Sequence, residues 1–180
     1  TPVDRHMALV KRIVPQAKRV GVIFNPGEAN SATLVELVKR YAPAHGMAVV
    51  AAGATKTAEV LGAARSLVGQ GDAIYLPTDN TVISALEAVL KVGMDAQLPV
   101  ITGDTDSVKR GSIAALGFDY YDVGRQTGQV VARVLRGEKP GDIPVEYVKK
   151  LQLFVNPGAA LKMGVTLPAA MIDEAKEVIR

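Results

Sequence analysis

The fold is decided by one stretch of the sequence, Arg19-Val20-Gly21-Val22-Ile23-Phe24-Asn25-Pro26-Gly27-Glu28-Ala29-Asn30-Ser31. Its first six residues form a short apolar run that predicts a buried strand, and Asn25-Pro26-Gly27 predicts the turn that ends it. Asn30 or Ser31 can then cap a helix. The inward face of that helix is predicted from apolar residues at helical spacing, namely Leu34, Leu37, Val38 and Tyr41. The stretch therefore predicts a strand, a polar loop and a helix in succession.

The same unit recurs along the chain. Further strands are predicted at residues 47–51, 73–76 and 98–102, and a weaker one at 113–116. Strands that alternate with helices at this spacing form a parallel sheet covered on both faces, because right-handed crossovers place helices on either side. We therefore predict a doubly wound, Rossmann-like α/β lobe.

The last third of the chain departs from this alternation. Asp122 is expected to cap a helix that stops at Gly137, and a strand at 151–155 follows a linker with proline and glycine. Two short helices are expected at 159–163 and 169–179. The pattern alone does not place these two helices on the lobe.

The composition excludes several classes of protein. The longest apolar runs are too short to span a bilayer, so no direct membrane span is expected. The 180 residues include no cysteine, which excludes disulfides and thiol chemistry. The formal net charge of +3 forms no basic stripe and aromatics are few, which argues against nucleic-acid binding. The opening residues lack a signal-peptide pattern, so we expect a soluble chain that has already been trimmed.

Polar side chains follow four of the predicted strands, in loops at residues 25–31, 55–57, 77–81 and 103–107. Because the carboxyl ends of parallel strands share one edge, these loops are expected to converge there, where ligands of such sheets bind. Helix starts suit a carboxylate, and aspartates at 79, 104 and 106 could face an ammonium group. The same residue types also cap helices and build turns without any ligand, so the prediction rests on their convergence.

Enzyme function is not expected. His6 precedes the first strand and His45 follows a helix end, so both are expected to be solvated rather than to act as bases. The chain has no nucleophile elbow, no Walker loop and no complete dinucleotide fingerprint. Asp104 and Asp106 could hold a divalent metal, but an exposed acidic turn is the simpler interpretation. No cofactor or metal is predicted.

Three segments of the chain carry a family pattern. They are, in order, residues 19–31, Tyr75-Leu76-Pro77-Thr78-Asp79-Asn80-Thr81, and Ala115-Leu116-Gly117-Phe118-Asp119-Tyr120-Tyr121 followed by Gly124-Arg125-Gln126-Thr127. Together they resemble the ABC transporter substrate-binding proteins of the tryptophan- and other aromatic-amino-acid-binding type. The likeness spans nearly the whole chain. More loosely, residues 135–140 and the strand ending near 156 look like the closing segment of periplasmic sugar-binding proteins and related repressors.

The resemblance implies a type I periplasmic binding protein, whose two lobes close on a small molecule and hand it to an ABC permease of the inner membrane. Such a protein works in the periplasm or outside the cytoplasmic membrane, secreted or tethered by a lipid. The chain starts about where the second lobe of the family begins. We therefore expect residues 1–155 to form one ligand-binding lobe, with a leading helix and hinge region at 1–18. Residues 156–180 would be a C-terminal helical segment that docks on the first lobe.

The resemblance also implies an amino acid as the ligand. The residues that match the family's cleft positions are Asn30, Ser31, Thr78, Asp79, Asn80, Asp104, Thr105 and Asp106. We expect Asp104 or Asp79 to face the ligand's ammonium group, and Ser31 and Thr78 with nearby backbone N–H groups to face its carboxylate. An isolated lobe would expose its cleft or hinge surface, which could lead to self-association.

Two other functions share the predicted fold. One is the ligand-sensing lobe of a transcriptional regulator or receptor, which would carry a DNA-binding headpiece, and no helix-turn-helix is visible before residue 19. The other is a flavodoxin-like enzyme, which would need a base or a cofactor loop that the sequence does not show.

Overall fold

The computed structural model describes residues 2–148 and 150–180. The strands in these residues are β1 (Arg19–Phe24), β2 (Ala48–Gly53), β3 (Ala73–Leu76), β4 (Val100–Thr102), β5 (Ala114–Gly117), β6 (Gln152–Val155) and β7 (Glu177–Val178). The helices are α1 (Val3–Ile13), α2 (Ala29–Tyr41), α3 (Thr57–Ser66), α4 (Asn80–Ser84), α5 (Leu86–Asp95), α6 (Asp106–Arg110), α7 (Tyr120–Leu135), α8 (Pro157–Lys162) and α9 (Ala169–Asp173). Short 3-10 turns lie at Ala42–His45 and Pro140–Asp142.

The strands form one sheet in the order β2-β1-β3-β4-β5-β6-β7. The first five run parallel, β6 is antiparallel to β5, and β7 is parallel to β6. The chain steps from β1 outward to β2 and then returns to the other side of β1 to form β3. This reversal creates a topological switch point between neighbouring strands. The predicted doubly wound α/β lobe is confirmed.

The core lies on both faces of β1 and β3. Val20, Val22 and Ile23 of β1 and all four residues of β3 are buried, as their continuous apolar runs predict. Leu67, at the end of α3, packs directly on Gly21 of β1. A Cβ atom added to Gly21 would lie 2.9 Å from Leu67 Cδ1. Glycine at this position therefore allows the helix layer to pack tightly against the central strand.

The helix after β5 begins earlier than the sequence predicts. Its cap is Asp119, whose side chain accepts a hydrogen bond from the backbone N–H of Tyr121 at 2.8 Å. Asp119 has the extended backbone of an N-cap, whereas Asp122, the predicted cap, lies in the first turn of the helix. Both aspartates are suitable caps, and Asp119, which is nearer to the end of β5, is the one that caps the helix.

The second helix of the tail is shorter than the sequence predicts. It ends at Asp173, and Glu177–Val178 forms β7 instead of continuing as helix. The backbone N–H of Lys176 donates to the carbonyl oxygen of Leu153 at 2.8 Å, which starts the pairing with β6. An open edge of the sheet therefore decides the conformation of these last residues.

The tail packs against the lobe itself. Ala160, Met163, Leu167 and Met171 are buried in the main hydrophobic core. Docking of residues 156–180 on another lobe stays a prediction, while these four side chains already pack within this lobe.

Helix α7 differs from the other long helices of the described residues because none of its sixteen residues is buried. Val131, Val134 and Leu135 are exposed, at 50%, 36% and 82%. One side of α7 and the chain that returns from it line an apolar groove of ≈ 380 Å³. No helix in the described part of the chain is long and apolar enough to cross a membrane.

Candidate ligand site at the carboxyl edge of the sheet

The loops after β1, β3 and β4 meet at one edge of the sheet, because these strands are adjacent and parallel. The loop after β2 lies further out, beside β1. Its Thr55 donates twice to Glu59 of α3, from its backbone N–H at 2.8 Å and from its hydroxyl at 2.9 Å. Three of the four predicted loops therefore form the candidate site, and the fourth mainly stabilises its own helix.

Asp79 joins two of these loops from within. Its carboxylate accepts hydrogen bonds from the backbone N–H of Asn25 at 2.6 Å, the hydroxyl of Ser31 at 2.5 Å and the backbone N–H of Val82 at 2.8 Å. Asp79 is 1% exposed and Ser31 is fully buried. Asp79 and Ser31 were expected to face a ligand, but they form a hydrogen bond with each other. Both residues therefore position the loops.

Glu28 binds the first two residues of α4, Asn80 and Thr81. It is not among the site residues predicted from the sequence. Its carboxylate accepts from the side chain and backbone N–H of Asn80, at 2.9 and 3.1 Å. It also accepts from the hydroxyl and backbone N–H of Thr81, at 2.7 and 3.1 Å. The Thr81 hydroxyl contributes most to holding the pKa of Glu28 below its usual value. The first N–H groups of α4 are thus bonded within the lobe, and no local pattern links Glu28 to residues 52 positions away.

The loop after β4 is held in place by its own caps. Asp104 accepts from the backbone N–H and the hydroxyl of Ser107, at 2.9 and 2.7 Å. Asp104 is partly buried and Asp106 is exposed. Thr105 is 6% exposed, and its methyl group would lie 3.0 Å from a Cβ added at Gly117. Asp106 is therefore open to solvent, Asp104 is partly exposed while it caps Ser107, and Thr105 packs inward.

The converging loops enclose a depression of ≈ 250 Å³. Five of the eight predicted site residues line it: Thr78, Asp79, Asn80, Asp104 and Asp106. Asn30 lies outside it, exposed, and its side-chain amide donates to the carbonyl oxygen of Thr78 at 3.2 Å. These five residues bring three carboxylates, a hydroxyl and an amide to the depression, and the Asp79 carboxylate is buried.

The structure adds Tyr120 to this depression, together with Ile83 and Ser84. Tyr120 is the first residue of α7 and follows the carboxyl end of β5. The rule that selected the other loops applies equally to the loop after β5. The sequence therefore carries a signal for Tyr120 in its position directly after a predicted strand.

His6 is buried, contrary to the prediction that it is solvated. It is 1% exposed, its Nδ1 lies 2.6 Å from the hydroxyl of Tyr75, and its Nε2 lies 2.6 Å from the carbonyl oxygen of Leu116. Because a carbonyl oxygen only accepts, Nε2 carries the proton and the Tyr75 hydroxyl donates to Nδ1. Burial lowers the pKa of His6 to about 4. The neutral imidazole joins α1 to β3 and β5 beneath Gly103.

Among positions 2–148 and 150–180, no three histidine, aspartate or glutamate side chains group in a way that could hold an ion.

The strand order and the polar loops define an α/β lobe with its site at the carboxyl edge of a parallel sheet. The family model described as ABC transporter substrate binding protein matches residues 1–179. This chain therefore belongs to the ABC transporter substrate-binding protein family, which consists of binding proteins rather than enzymes.

Similar proteins support this assignment. The tyrosine-binding protein of Clostridioides difficile (strain R20291) is 37% identical over 154 residues, which are 86% of this chain. A conserved domain protein from Vibrio cholerae O1 biovar eltor str. N16961 has a crystal structure that matches with a TM-score of 0.93 and 42% identity. An ABC domain from Streptococcus pneumonia, solved in complex with L-Trp, matches with a TM-score of 0.90 and 31% identity.

The chain spans only part of each of these proteins. The matched residues are 45% of the tyrosine-binding protein. The two structural matches cover 99% of this chain and 60% of each crystallised chain.

Proposed function

We propose that this chain supplies one lobe of the solute-binding component of an ABC importer, and that the solute is an amino acid with an aromatic side chain. The observation that carries this proposal is the pair of carboxylates, Asp104 and Asp106, beside Thr78 in the depression at the sheet edge. An α-ammonium group needs carboxylate partners, because charge-assisted hydrogen bonds are the strongest available to it. The tyrosine-binding relative and the L-Trp complex support an aromatic amino acid.

The division of roles within the site follows from its hydrogen bonds. Asp79 and Ser31 are bonded to each other, and the N–H groups of Asn80 and Thr81 are bonded to Glu28. Asp104 is bonded to Ser107, but unlike Asp79 it is partly exposed, and Asp106 is exposed. These two accessible carboxylates are the ammonium partners that we propose. Thr78 would face the ligand carboxylate from this lobe, together with donors from a second lobe.

A second lobe is proposed for two reasons. The depression of ≈ 250 Å³ is smaller than the roughly 300–1,000 Å³ of complete ligand pockets, as expected for one wall of a cleft. Helix α7 also shows an apolar side that this lobe leaves uncovered. We propose that α7 meets the second lobe, next to the cleft that its first residue lines.

The proposed cellular role follows from the family. A binding component of an importer works outside the cytoplasmic membrane, in the periplasm or tethered to the membrane surface. Its partner there is the permease of the importer, which receives the ligand from the closed protein.

Neutralising the proposed ammonium partners tests this function. In the full natural chain, Asp104→Asn and Asp106→Asn should each weaken L-tryptophan or L-tyrosine binding by about 10- to 100-fold. The reason is that a hydrogen bond to a charged group contributes roughly 1.5–3 kcal/mol, and about 1.4 kcal/mol corresponds to a factor of ten. Isothermal titration calorimetry gives the affinity directly.

The matched control is Asp95→Asn, because Asp95 is an exposed aspartate at the end of α5 that pairs with Lys91. Its affinity should equal that of the wild-type chain. Binding of neither amino acid by the wild-type chain, or equal affinities in all three variants, would contradict the proposal.

A further inference from the structure

Tyr120 stands out among the residues that line the depression because it is the only aromatic one. It is 59% exposed and lies where β5 leads into α7, at the carboxyl edge of the sheet. An exposed tyrosine beside two carboxylates lacks an explanation in the packing of this lobe. It is therefore available to a ligand.

The Tyr120 ring contacts one aromatic neighbour in this lobe. Asp119 caps α7 directly before it, and Phe118 contacts it edge to face, with ring centroids 5.3 Å apart and an interplanar angle of 78°. Edge-to-face contact is a favourable geometry for aromatic rings. This contact limits the freedom of the exposed ring and makes it one wall of the depression, which lowers the entropy cost of stacking a ligand against it.

The chemistry of an α-amino acid connects this wall to the carboxylates. Its ammonium group and its side chain branch from the same Cα atom, so the group that contacts the side chain must lie close to the partners of the ammonium. Tyr120 meets this condition, since it lines the same depression as Asp104 and Asp106.

We propose that Tyr120 is a specificity-determining residue of this site, whose ring packs against the aromatic side chain of the bound amino acid. This inference rests on the proposed function and deepens it, since it names the contact that selects an aromatic ligand from this lobe. Tyr120 should contribute less to the affinity for an amino acid with a small or acyclic side chain, because such a side chain buries less apolar area against the ring.

Substitution of Tyr120 in the full natural chain tests the inference by calorimetry with L-tryptophan, L-tyrosine and L-leucine. Tyr120→Ala should weaken binding of the two aromatic amino acids by about tenfold or more, because it removes an aromatic contact and its buried area. Tyr120→Phe keeps the ring and should bind them within about twofold of the wild-type chain. L-Leucine binding should change less than aromatic binding in Tyr120→Ala.

Tyr121→Ala is the matched control. Tyr121 is the next residue of α7 and is 70% exposed, but it is not among the residues of the depression. Its substitution should leave all three affinities unchanged, and thermal melting of each variant checks that the fold is intact.

The outcomes separate this inference from the proposed function. If the wild-type chain binds neither aromatic amino acid, both are overturned. If the wild-type chain binds one and Tyr120→Ala binds it equally well, only the role of Tyr120 is overturned. An equal loss for L-leucine and the aromatic amino acids would also overturn it, because Tyr120 would then hold a part common to every ligand.

Discussion

At the scale of single residues, His6 is a buried titratable group that joins three elements. It accepts from Tyr75 of β3 and donates to Leu116 of β5, 69 and 110 positions along the chain. Burial lowers its pKa to about 4, from an ordinary value of 6.5. The folded chain therefore holds the imidazole neutral at pH values where the unfolded chain protonates it.

This difference in pKa makes stability depend on pH. Below about pH 6.5 the unfolded state binds the proton more tightly, so stability should fall as the pH drops towards about 4 and should then stop changing on account of His6. Between about pH 7 and pH 5 we expect a loss of about 2 kcal/mol, at about 1.4 kcal/mol for each pH unit below 6.5. Urea unfolding at the two pH values measures it.

The other histidine supplies the control for this prediction. His6→Gln should flatten the pH dependence, whereas His45→Gln, at a partly exposed position, should behave as the wild-type chain. The window stays above the range where Glu28, whose pKa is lowered, loses its own stabilising effect. Identical slopes in wild type and His6→Gln would show that His6 does not titrate in this way.

At the scale of elements, the start of α4 is fixed from two sides. Asp79 accepts a hydrogen bond from the backbone N–H of Val82, and Glu28 accepts from the backbone N–H groups of Asn80 and Thr81. Helix α4 has only five residues, so its own hydrogen bonds contribute little. Its orientation at the edge of the sheet depends on these carboxylates.

Loss of the Asp79 carboxylate should destabilise the lobe strongly. Asp79→Ala leaves the N–H of Asn25 and the hydroxyl of Ser31 buried without their partner, and it removes a helix cap. We expect a cost of about 3 kcal/mol in the free energy of unfolding. Urea unfolding midpoints at constant m-value measure the change.

Asp106→Ala is the comparison within the same site, because Asp106 is exposed. It should change the stability by about 0.5 kcal/mol or less. Equal destabilisation by the two substitutions would remove the distinction between a positioning Asp79 and a ligand-facing Asp106.

At the scale of the whole molecule, the apolar side of α7 is a surface that the described lobe covers only in part. Four apolar residues of the tail are buried in the core of this lobe, whereas no residue of α7 is buried. The matched crystal structures are longer than this chain, with 60% of each covered. We therefore expect α7 to pack on the second lobe in the full natural chain.

A charge placed on that side of α7 should have different effects in the two chains. Val134→Glu should leave the thermal midpoint of the 180-residue chain nearly unchanged, because Val134 is already 36% exposed. In the full natural chain it should lower the midpoint, since a carboxylate would be buried at the contact between lobes. Thermal melting of both chains measures the difference.

Gln129→Glu adds the same charge at an exposed position of α7 that does not line the groove. It should have little effect in either chain. A similar response of Val134→Glu in the two chains would argue that this side of α7 stays in water.

The sequence by itself determined strands β1 to β6, the parallel part of the sheet and the edge where polar loops converge. These depend on apolar runs and turn residues that act over a few neighbours, as in Arg19–Phe24 and the Asn25-Pro26-Gly27 turn. Only the tertiary structure decided that Asp79 bonds to Ser31, that His6 is buried, and that Tyr120 lines the depression. It also decided that the last residues form β7, because an open strand edge attracts them. The physical reason is that burial and pairing of a side chain depend on partners about 50 to 110 positions away, which no local periodicity encodes.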